Sequence, residues 1–386
     1  MNDPGTLPPL PPLPVISSSR IIFFGHRSDF RHLAIRGGLL ELVTVGFYRF
    51  WLATDIRRHL WSNTVVGDDV PEYTGTAKEL LIGFLFALAI LTPIYLVYFL
   101  VGLEAERLMA YASIPLGLFF YFFTQFAIYR ARRYRLTRTV WRGVRFWMTG
   151  SGWDYSWRAG LWSLFVMVTL GLALPWRQAA LERFKMRHTS YGDLPGRFDG
   201  KGWEFFKRGW WLWLLALLVV VSQVLIVIVL PFIYAAFKAV EWRWWVSGIR
   251  FGDVRFESDM TRSALIGLYW KVIGWGVLLC VGLLMWVGSV LGIAYWFGNV
   301  AGTAQQKILI IMQQPLVLIA MALGYVVVVL AAWVMMRIYL MRDVWARVAM
   351  TSTVTNLAAA DNVLARGHLV SALGEGFADS LDVVGF

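Results

Sequence analysis

Leu80-Leu-Ile-Gly-Phe-Leu-Phe-Ala-Leu-Ala-Ile-Leu-Thr-Pro-Ile-Tyr-Leu-Val-Tyr-Phe-Leu-Val-Gly-Leu103 contains no charged residue. About 20 apolar residues in a helix cross a hydrocarbon core of about 30 Å, and a helix of a soluble core needs fewer. Four more uncharged stretches follow: Leu108 to Tyr129, Gly209 to Phe237, Val272 to Gln306 and Ile308 to Met336. Of 386 residues, 58% are hydrophobic and 16% charged, against roughly a quarter charged in an average soluble domain. The expected fold is therefore an all-α integral membrane protein that crosses the bilayer several times.

The net charge of +12, from 36 basic residues, could suggest a nucleic-acid partner, but no nucleic-acid motif accompanies it. Residues 129–158 hold eight basic side chains against one acidic, and residues 177–209 eight against four. By the positive-inside rule both lie in the cytoplasm, beside anionic lipid headgroups. Residues 102–108 and 298–314 carry few basic residues and fit the far side. The lipid bilayer and its headgroups are thus the expected partners, with no nucleic acid. Many of the 21 Trp and 15 Tyr read as an interfacial belt.

Shifting the chain by 125 residues without a gap superposes it on itself. Arg20 meets Arg145, Thr44 meets Thr169, Gly46 meets Gly171 and Trp51 meets Trp176. Arg58 meets Arg183, Thr64 meets Thr189, Gly67 meets Gly192 and Gly75 meets Gly200. In a more diverged third copy Gly143, Arg145, Phe146 and Asp154 reappear 105 residues on, as Gly248, Arg250, Phe251 and Asp259. After an insertion, Arg347 and Thr353 answer Arg183 and Thr189. The organisation read from this is a disordered Pro-rich tail (1–19), membrane unit one (20–140), unit two (141–245), a diverged unit three (246–356) and a C-terminal tail (357–386) on the cytoplasmic side. The repeat-motif positions that qualify as candidate sites are Thr44, Gly46, Trp51, Arg58, Thr64, Thr169, Gly171, Trp176, Arg183, Thr189, Arg347 and Thr353.

The short segments leading into and out of each unit, such as Trp141-Arg-Gly-Val-Arg-Phe and Gly192-Asp-Leu-Pro-Gly, set turn residues beside aromatic ones, so a small strand pairing at the membrane surface is expected. Residues 33–52 and 159–176 are a puzzle, because basic residues stand on both sides of each. Each also carries a Thr-x-Gly break near its middle. Both a re-entrant segment and a lightly kinked span fit these features.

Thr169-Leu-Gly-Leu-Ala-Leu-Pro-Trp with Glu182-Arg-Phe after it, Arg142-Gly-Val-Arg-Phe, and the closing Gly374-Glu-Gly-Phe-Ala-Asp-Ser-Leu-Asp-Val resemble the YjgN-like family of bacterial inner-membrane proteins. The resemblance covers about residues 20–386. It implies a multi-pass inner-membrane location and brings no known activity.

Catalytic chemistry finds little support. The five histidines are scattered without metal-ligand spacing, Cys280 is the single cysteine, and no phosphate loop or nucleophile elbow occurs. No cofactor and no enzymatic activity are expected. The leading functional expectation is small-molecule transport or a channel, because broken membrane segments are a device of transporters. On that expectation the breaks at Thr44, Gly46, Thr169 and Gly171 approach one another and border a cavity open to the cytoplasm. The alternative is a non-catalytic membrane scaffold or partner-binding envelope protein.

Overall fold

The glycine-punctuated aromatic stretches pair as strands far more extensively than a local clasp. The computed structural model describes residues 18–104, 106–222, 226–298 and 303–367. Its strands are short: β1 (Ser18–Arg20), β2 (Ile22–Phe23), β3 (Thr64–Val65), β4 (Glu72–Tyr73), β5 (Thr139–Trp141), β6 (Val144–Met148), β7 (Thr189–Tyr191), β8 (Leu194–Phe198), β9 (Ile249–Phe251), β10 (Val254–Ser258) and β11 (Ser352–Thr355). Nine of them form one antiparallel sheet in the order β1-β11-β10-β9-β8-β7-β6-β5-β4, and β2 pairs with β3. Only Ile21 separates β1 from β2, and a bridge from Val66 to Asp69 tightens the turn that leads from β3 toward β4. The pairing path therefore returns to its start. Closure removes the unpaired edges that such short strands would otherwise expose. This sheet overturns the all-α expectation: the molecule is α+β, and its strands are a central ring rather than an accessory to tandem helical repeats.

Helices stand between paired strands. α1 (Arg27–Val43) and α2 (Arg49–Ser62) follow β2, α3 (Ala77–Glu104) and α4 (Glu106–Thr137) follow β4, and α5 (Gly152–Val168) and α6 (Leu174–Arg187) follow β6. α7 (Gly202–Ser222) and α8 (Ile226–Gly248) follow β8. After β10 come α9 (Ile266–Phe297), α10 (Ala304–Met312) and α11 (Pro315–Met336), which runs through a π-helical turn, Arg337–Asp343, into α12 (Val344–Met350).

In each case the strand before the helices pairs with the strand after them. Phe23 faces Thr64, Tyr73 faces Thr139, Met148 faces Thr189, Phe198 faces Ile249 and Ser258 faces Ser352. Every helical excursion thus returns to the rim it left, and tight turns such as Gly192-Asp193 occupy the other rim. Residues 33–52 and 159–176 thus lie in helical hairpins whose two ends are clasped by neighbouring strands, not in single kinked helices.

For the expected third copy, the register gives a different alignment. Met148 and Ser258 hold equivalent places beside Thr189 and Ser352. Val144-Arg145-Phe146 therefore corresponds to Val254-Arg255-Phe256, an offset of 110. Arg250 and Phe251 belong instead to β9, the counterpart of β5. The counterpart of Thr189 is Ser352, not Thr353. The equivalence has a common chemistry: Thr64 Oγ1 donates to Leu60 O at 2.7 Å, Thr189 Oγ1 to Lys185 O at 2.9 Å and Ser352 Oγ to Val348 O at 2.7 Å. Each hydroxyl satisfies a carbonyl that the end of the preceding helix leaves open.

Around the helical layer each helix touches the next in chain order from α1 to α9, then α9 touches α11 and α11 returns to α1. Burial concentrates at the helix roots, where Phe30, Ala34, Leu52, Ile56 and Leu60 are nearly inaccessible. There Trp61 of α2 stacks on Trp345 of α12 at 4.9 Å, joining the first helical hairpin to the last helix. The far halves of α9 and α11 instead expose Leu284, Ile293, Ile319 and Leu323.

Three helical stretches are long and apolar enough to cross a membrane: Ala77–Leu100, Ile266–Phe297 and Pro315–Met350. The five uncharged stretches of the sequence do not map one to one onto helices. Gly209 to Phe237 is divided between α7 and α8, and α9 ends at Phe297, before a separate α10 whose first turn is closed by a capping box between Thr303 and Gln306. Residues 1–17 and 368–386, including the closing Gly374 motif, lie outside the described residues. Ser18 and Ser19, which the sequence assigns to the tail, are part of β1.

Candidate functional site

The ring encloses a cavity of about 360 Å³. Its wall is set by period-two alternation in the strands, which turns Trp141, Phe146, Tyr191 and Val254 to one face. The helix roots Trp242, Trp245 and Ala349 close it toward the helical layer, and Leu357 and Ala360, in a 3₁₀ turn after β11, close the other end. Buried Tyr191 donates its hydroxyl to Trp141 O at 2.8 Å, and burial pushes the phenol up to about 12. The wall is almost wholly apolar, with Thr64 and Ser352 among its few polar members.

A second cavity of about 390 Å³ adjoins the first in the helical layer, between α4, α5, α6 and α8. Arg132, Arg135, Trp242 and Trp245 line both. Its chemistry is ionic. Glu182 Oε2 accepts from Arg132 Nη1 at 2.9 Å, and Glu182 Oε1 meets Lys185 Nζ. Burial alone would raise the Glu182 carboxyl, but the charges of Arg132 and Lys185 outweigh it and hold it at about 2. Burial moves the Lys185 ammonium below the usual lysine range, against the pull of Glu182. Opposite them, Lys238 Nζ pairs with Glu241 at 2.7 Å, and Gln178 Nε2 donates to Glu241 Oε1 at 2.6 Å. Arg177 Nε and Gln178 Oε1 are buried at this cavity without a hydrogen-bond partner among the described residues.

The repeat-motif positions are placed elsewhere, apart from Thr64. At the first break Thr44 Oγ1 donates to Leu40 O at 2.7 Å and accepts from Tyr48 N at 2.9 Å. At the second, Thr169 Oγ1 donates to Phe165 O at 2.8 Å and accepts from Ala173 N at 3.1 Å. The next residues turn left-handed in both: Val45 (φ 53°) and Gly46 (φ 87°), Leu170 (φ 50°) and Gly171 (φ 90°). Gly46 N donates to Glu41 O and Gly171 N to Val166 O. Each break is a hairpin tip whose backbone is satisfied by its own threonine.

The two tips do not come together, because α3 and α4 intervene between the hairpins. Val45 and Leu170 are 88% and 82% exposed, so the tips point outward. Neither break lines either chamber; Gly171 borders a separate pocket of about 60 Å³ among Phe205, Phe206 and Trp213, to which the first break contributes no residue.

Trp51 stacks on Tyr48 at 6.1 Å and Trp176 packs on Phe206 at 5.3 Å. Arg58 Nη2 donates to Gly75 O at 3.0 Å and Arg183 Nη2 to Gly200 O at 3.2 Å, the same contact 125 residues apart. Arg347 is exposed on α12, and Thr353 pairs in the sheet with Arg20 and Glu257. Apart from Thr64, sequence reading did not single out the residues of the two cavities as a site. The available signals were the spacings Glu182/Lys185, Lys238/Glu241 and Arg132/Arg135, three apart and so on one helix face. Trp242 and Trp245, which fit a headgroup belt by composition, face the chamber instead.

No curated protein and no solved structure matches the chain. A family model does, over residues 18–241, which is more than half of it. The chain belongs to that family, described as "Bacterial protein of unknown function (DUF898)", the YjgN-like family whose motifs it carries.

Proposed function

We propose that the protein crosses the bacterial inner membrane several times and holds a small molecule between a cytoplasmic strand ring and the bilayer, as a binding module without catalysis. The observation that carries this reading is the pair of adjoining cavities on the ring side of the helices. Orientation is supported by charge: the ring end carries nearly all the basic residues, and the far turns hold Glu104, Glu106, Arg107 and Lys307. The hairpin tips, with Val45, Phe47, Val168 and Leu170 exposed, suit the boundary between headgroups and acyl chains, where anionic lipid meets Arg31, Arg36 and Arg158. Contacts that recur at an offset of 125 support an origin by duplication of a unit of strands with helices.

Transport is the second reading. The hairpin tips no longer support it, but the ionic cavity does extend from the ring into the helical layer. The test is native mass spectrometry of the full chain released from membranes into a rigid sterol-based detergent. A bound small molecule is expected on the wild type and is lost when Ala360 or Ala349, at the chamber wall, is replaced by Phe. An adduct-free wild type, or an adduct unaffected in both variants, overturns the binding-module reading.

A further inference from the structure

Four turns, β3–β4, β5–β6, β7–β8 and β9–β10, stand at the rim of the ring opposite the helices. The chain leaves β11 at Asn356, whose left-handed backbone (φ 60°) ends the strand, and then crosses this rim and touches all four turns. Asn356 Nδ2 donates to Asp253 O at 3.4 Å. Leu357 fills the space that a side chain at Gly67 would need. Asp361 accepts from Arg142 Nη1 at 2.5 Å, and the same guanidinium bonds Asp68. Leu364 N donates to Asp193 Oδ1 at 3.0 Å, and Val363 lies over Gly192.

The inner side of this segment completes the ring chamber. Leu357 and Ala360 line it, and Ala359 and Val363 pack on the same apolar cluster as Trp141 and Tyr191. The outer side, with Ala358, Asp361, Asn362 and Leu364, faces solvent. What fastens the segment differs in kind from what holds the ring. The strands share ladders of backbone hydrogen bonds, whereas Ala359 N and Asp361 N bond within the segment, to Asn356 O and Ala358 O. Its ties to the turns are exposed, and exposed ion pairs hold weakly. The segment can therefore lift without parting a strand pair, and stretches held in this way are the ones that open locally.

We propose that residues 356–367 are a strap that gates the ring chamber, latched to the rim by Arg142 and lifted to let the occupant in or out. Only the occupant rests on the binding-module reading; the lifting of the strap does not. Arg142 is placed for a latch. It stands in a two-residue turn with left-handed backbone (φ 47°), and its guanidinium lies 4.6 Å from the ring centre of Trp141, in the chamber wall. From there it joins Asp361 of the strap to Asp68 of the neighbouring turn.

Gating is read with a reporter thiol, Ala349→Cys in the Cys280→Ala background, in the full chain held in a sterol-based detergent. Ala349 is buried in the chamber wall on α12, away from the strap. Its labelling by N-ethylmaleimide, followed by intact mass, should be about tenfold or more slower than that of a cysteine at exposed Ala358, because it waits for the strap to open. Asp361→Asn and Arg142→Gln should each speed it by about two- to fivefold, the range of one exposed ion pair. Added salt, at about 0.5 M, should speed labelling under the intact latch and leave Asp361→Asn unchanged. Asp259→Asn, which breaks the exposed pair with Arg20, away from the strap, should have no effect. Hydrogen exchange in Asp361→Asn should rise over residues 356–367 and not in strands β5 to β10.

Labelling of the buried thiol as fast as the exposed control, or a rate indifferent to Asp361, Arg142 and salt alike, overturns the gate. So does exchange that rises through the whole ring, which marks general loosening. Where Arg142→Gln fails to fold, Asp361→Asn decides alone, since Asp361 is exposed. Labelling that follows the latch on a protein with no bound molecule supports the strap and overturns only the binding-module reading. A bound molecule lost in Ala360→Phe, beside labelling that ignores the latch, does the reverse.

Discussion

Glu182 sits where two cations converge, and its removal should be felt beyond the loss of a hydrogen bond. Replacing it by Gln leaves Arg132 and Lys185 together without their carboxylate, and breaking a buried ion pair from one side costs about 3 to 5 kcal/mol. The pH profile distinguishes this from simple repacking. The carboxyl is held at about 2 in the folded protein against an ordinary 4.5, so above pH 4.5 the ionised group contributes stability, on the order of 3 kcal/mol. As pH falls from 4.5 toward 2 the unfolded chain takes up the proton first and that contribution is lost. Thermal unfolding should show the wild type losing stability across this window, with Glu182→Gln less stable at pH 7 and flatter below pH 4.5. Parallel profiles for the two proteins would mean that the carboxylate is not held in this way. The Lys185 partner was legible as a three-residue spacing on one helix face, but Arg132 was not, since it comes from α4, fifty residues earlier in the chain.

At the level of elements, the hairpins α1–α2 and α5–α6 show what a repeated motif can and cannot say. Thr44, Gly46, Thr169 and Gly171 were legible as a shared break, because a residue at φ near +90° favours glycine and a threonine can bond back to the preceding turn. That the break is a sharp reversal, and not a kink, depends on pairings such as Met148 with Thr189, which join residues about forty positions apart. Thr169→Val keeps the shape and removes the hydroxyl that serves Phe165 O and Ala173 N. It should cost about 1 kcal/mol, read as a lower unfolding temperature, while Thr124→Val, which loses only one back-bond to Phe120 O, should cost less. The reversal itself is tested by single cysteines at Ser151 and Ser190 in a Cys280→Ala background. With an impermeant thiol reagent, neither site should label in intact cells and both should label in inverted vesicles. Labelling of one alone from outside would require α5–α6 to cross the bilayer. The membrane stretches were legible in part, since α3, α9 and α11 follow from length and hydropathy. The assignment of Gly209 to Phe237 to two helices, α7 and α8, was not, because the stretch is apolar throughout.

For the whole molecule the decisive feature is closure, and it is the feature least available from sequence. Turn signals such as Gly192-Asp193 and Gly252-Asp253 announce local hairpins, whereas β1 meets β11 across more than 330 residues. Two observations say that this contact matters: Trp61 stacks on Trp345 just inside the ring, and Arg20 Nε donates to Met350 O at 2.9 Å beside the strand pair. Without β1, strand β11 would present an unpaired edge and the chamber would open along its wall at Ile21. Ser18 and Thr355 are direct antiparallel partners, and such partners have Cα atoms about 4.5 to 5.5 Å apart, within the range that a disulfide spans. The double variant Ser18→Cys with Thr355→Cys, in the Cys280→Ala background, should therefore oxidise to an intramolecular link in membranes, seen as a mobility shift that a reductant reverses. A link formed only between two chains, or none under conditions that oxidise a control pair at Ser190 and Trp147, would place β1 away from β11. If the link forms, it should also raise the unfolding temperature, because a loop of more than 330 residues is held shut in the unfolded chain, worth roughly 6 kcal/mol on the chain-entropy account. A ring that depends on its two ends meeting should gain that stability in full, whereas a helical bundle with a loosely attached first strand would gain little.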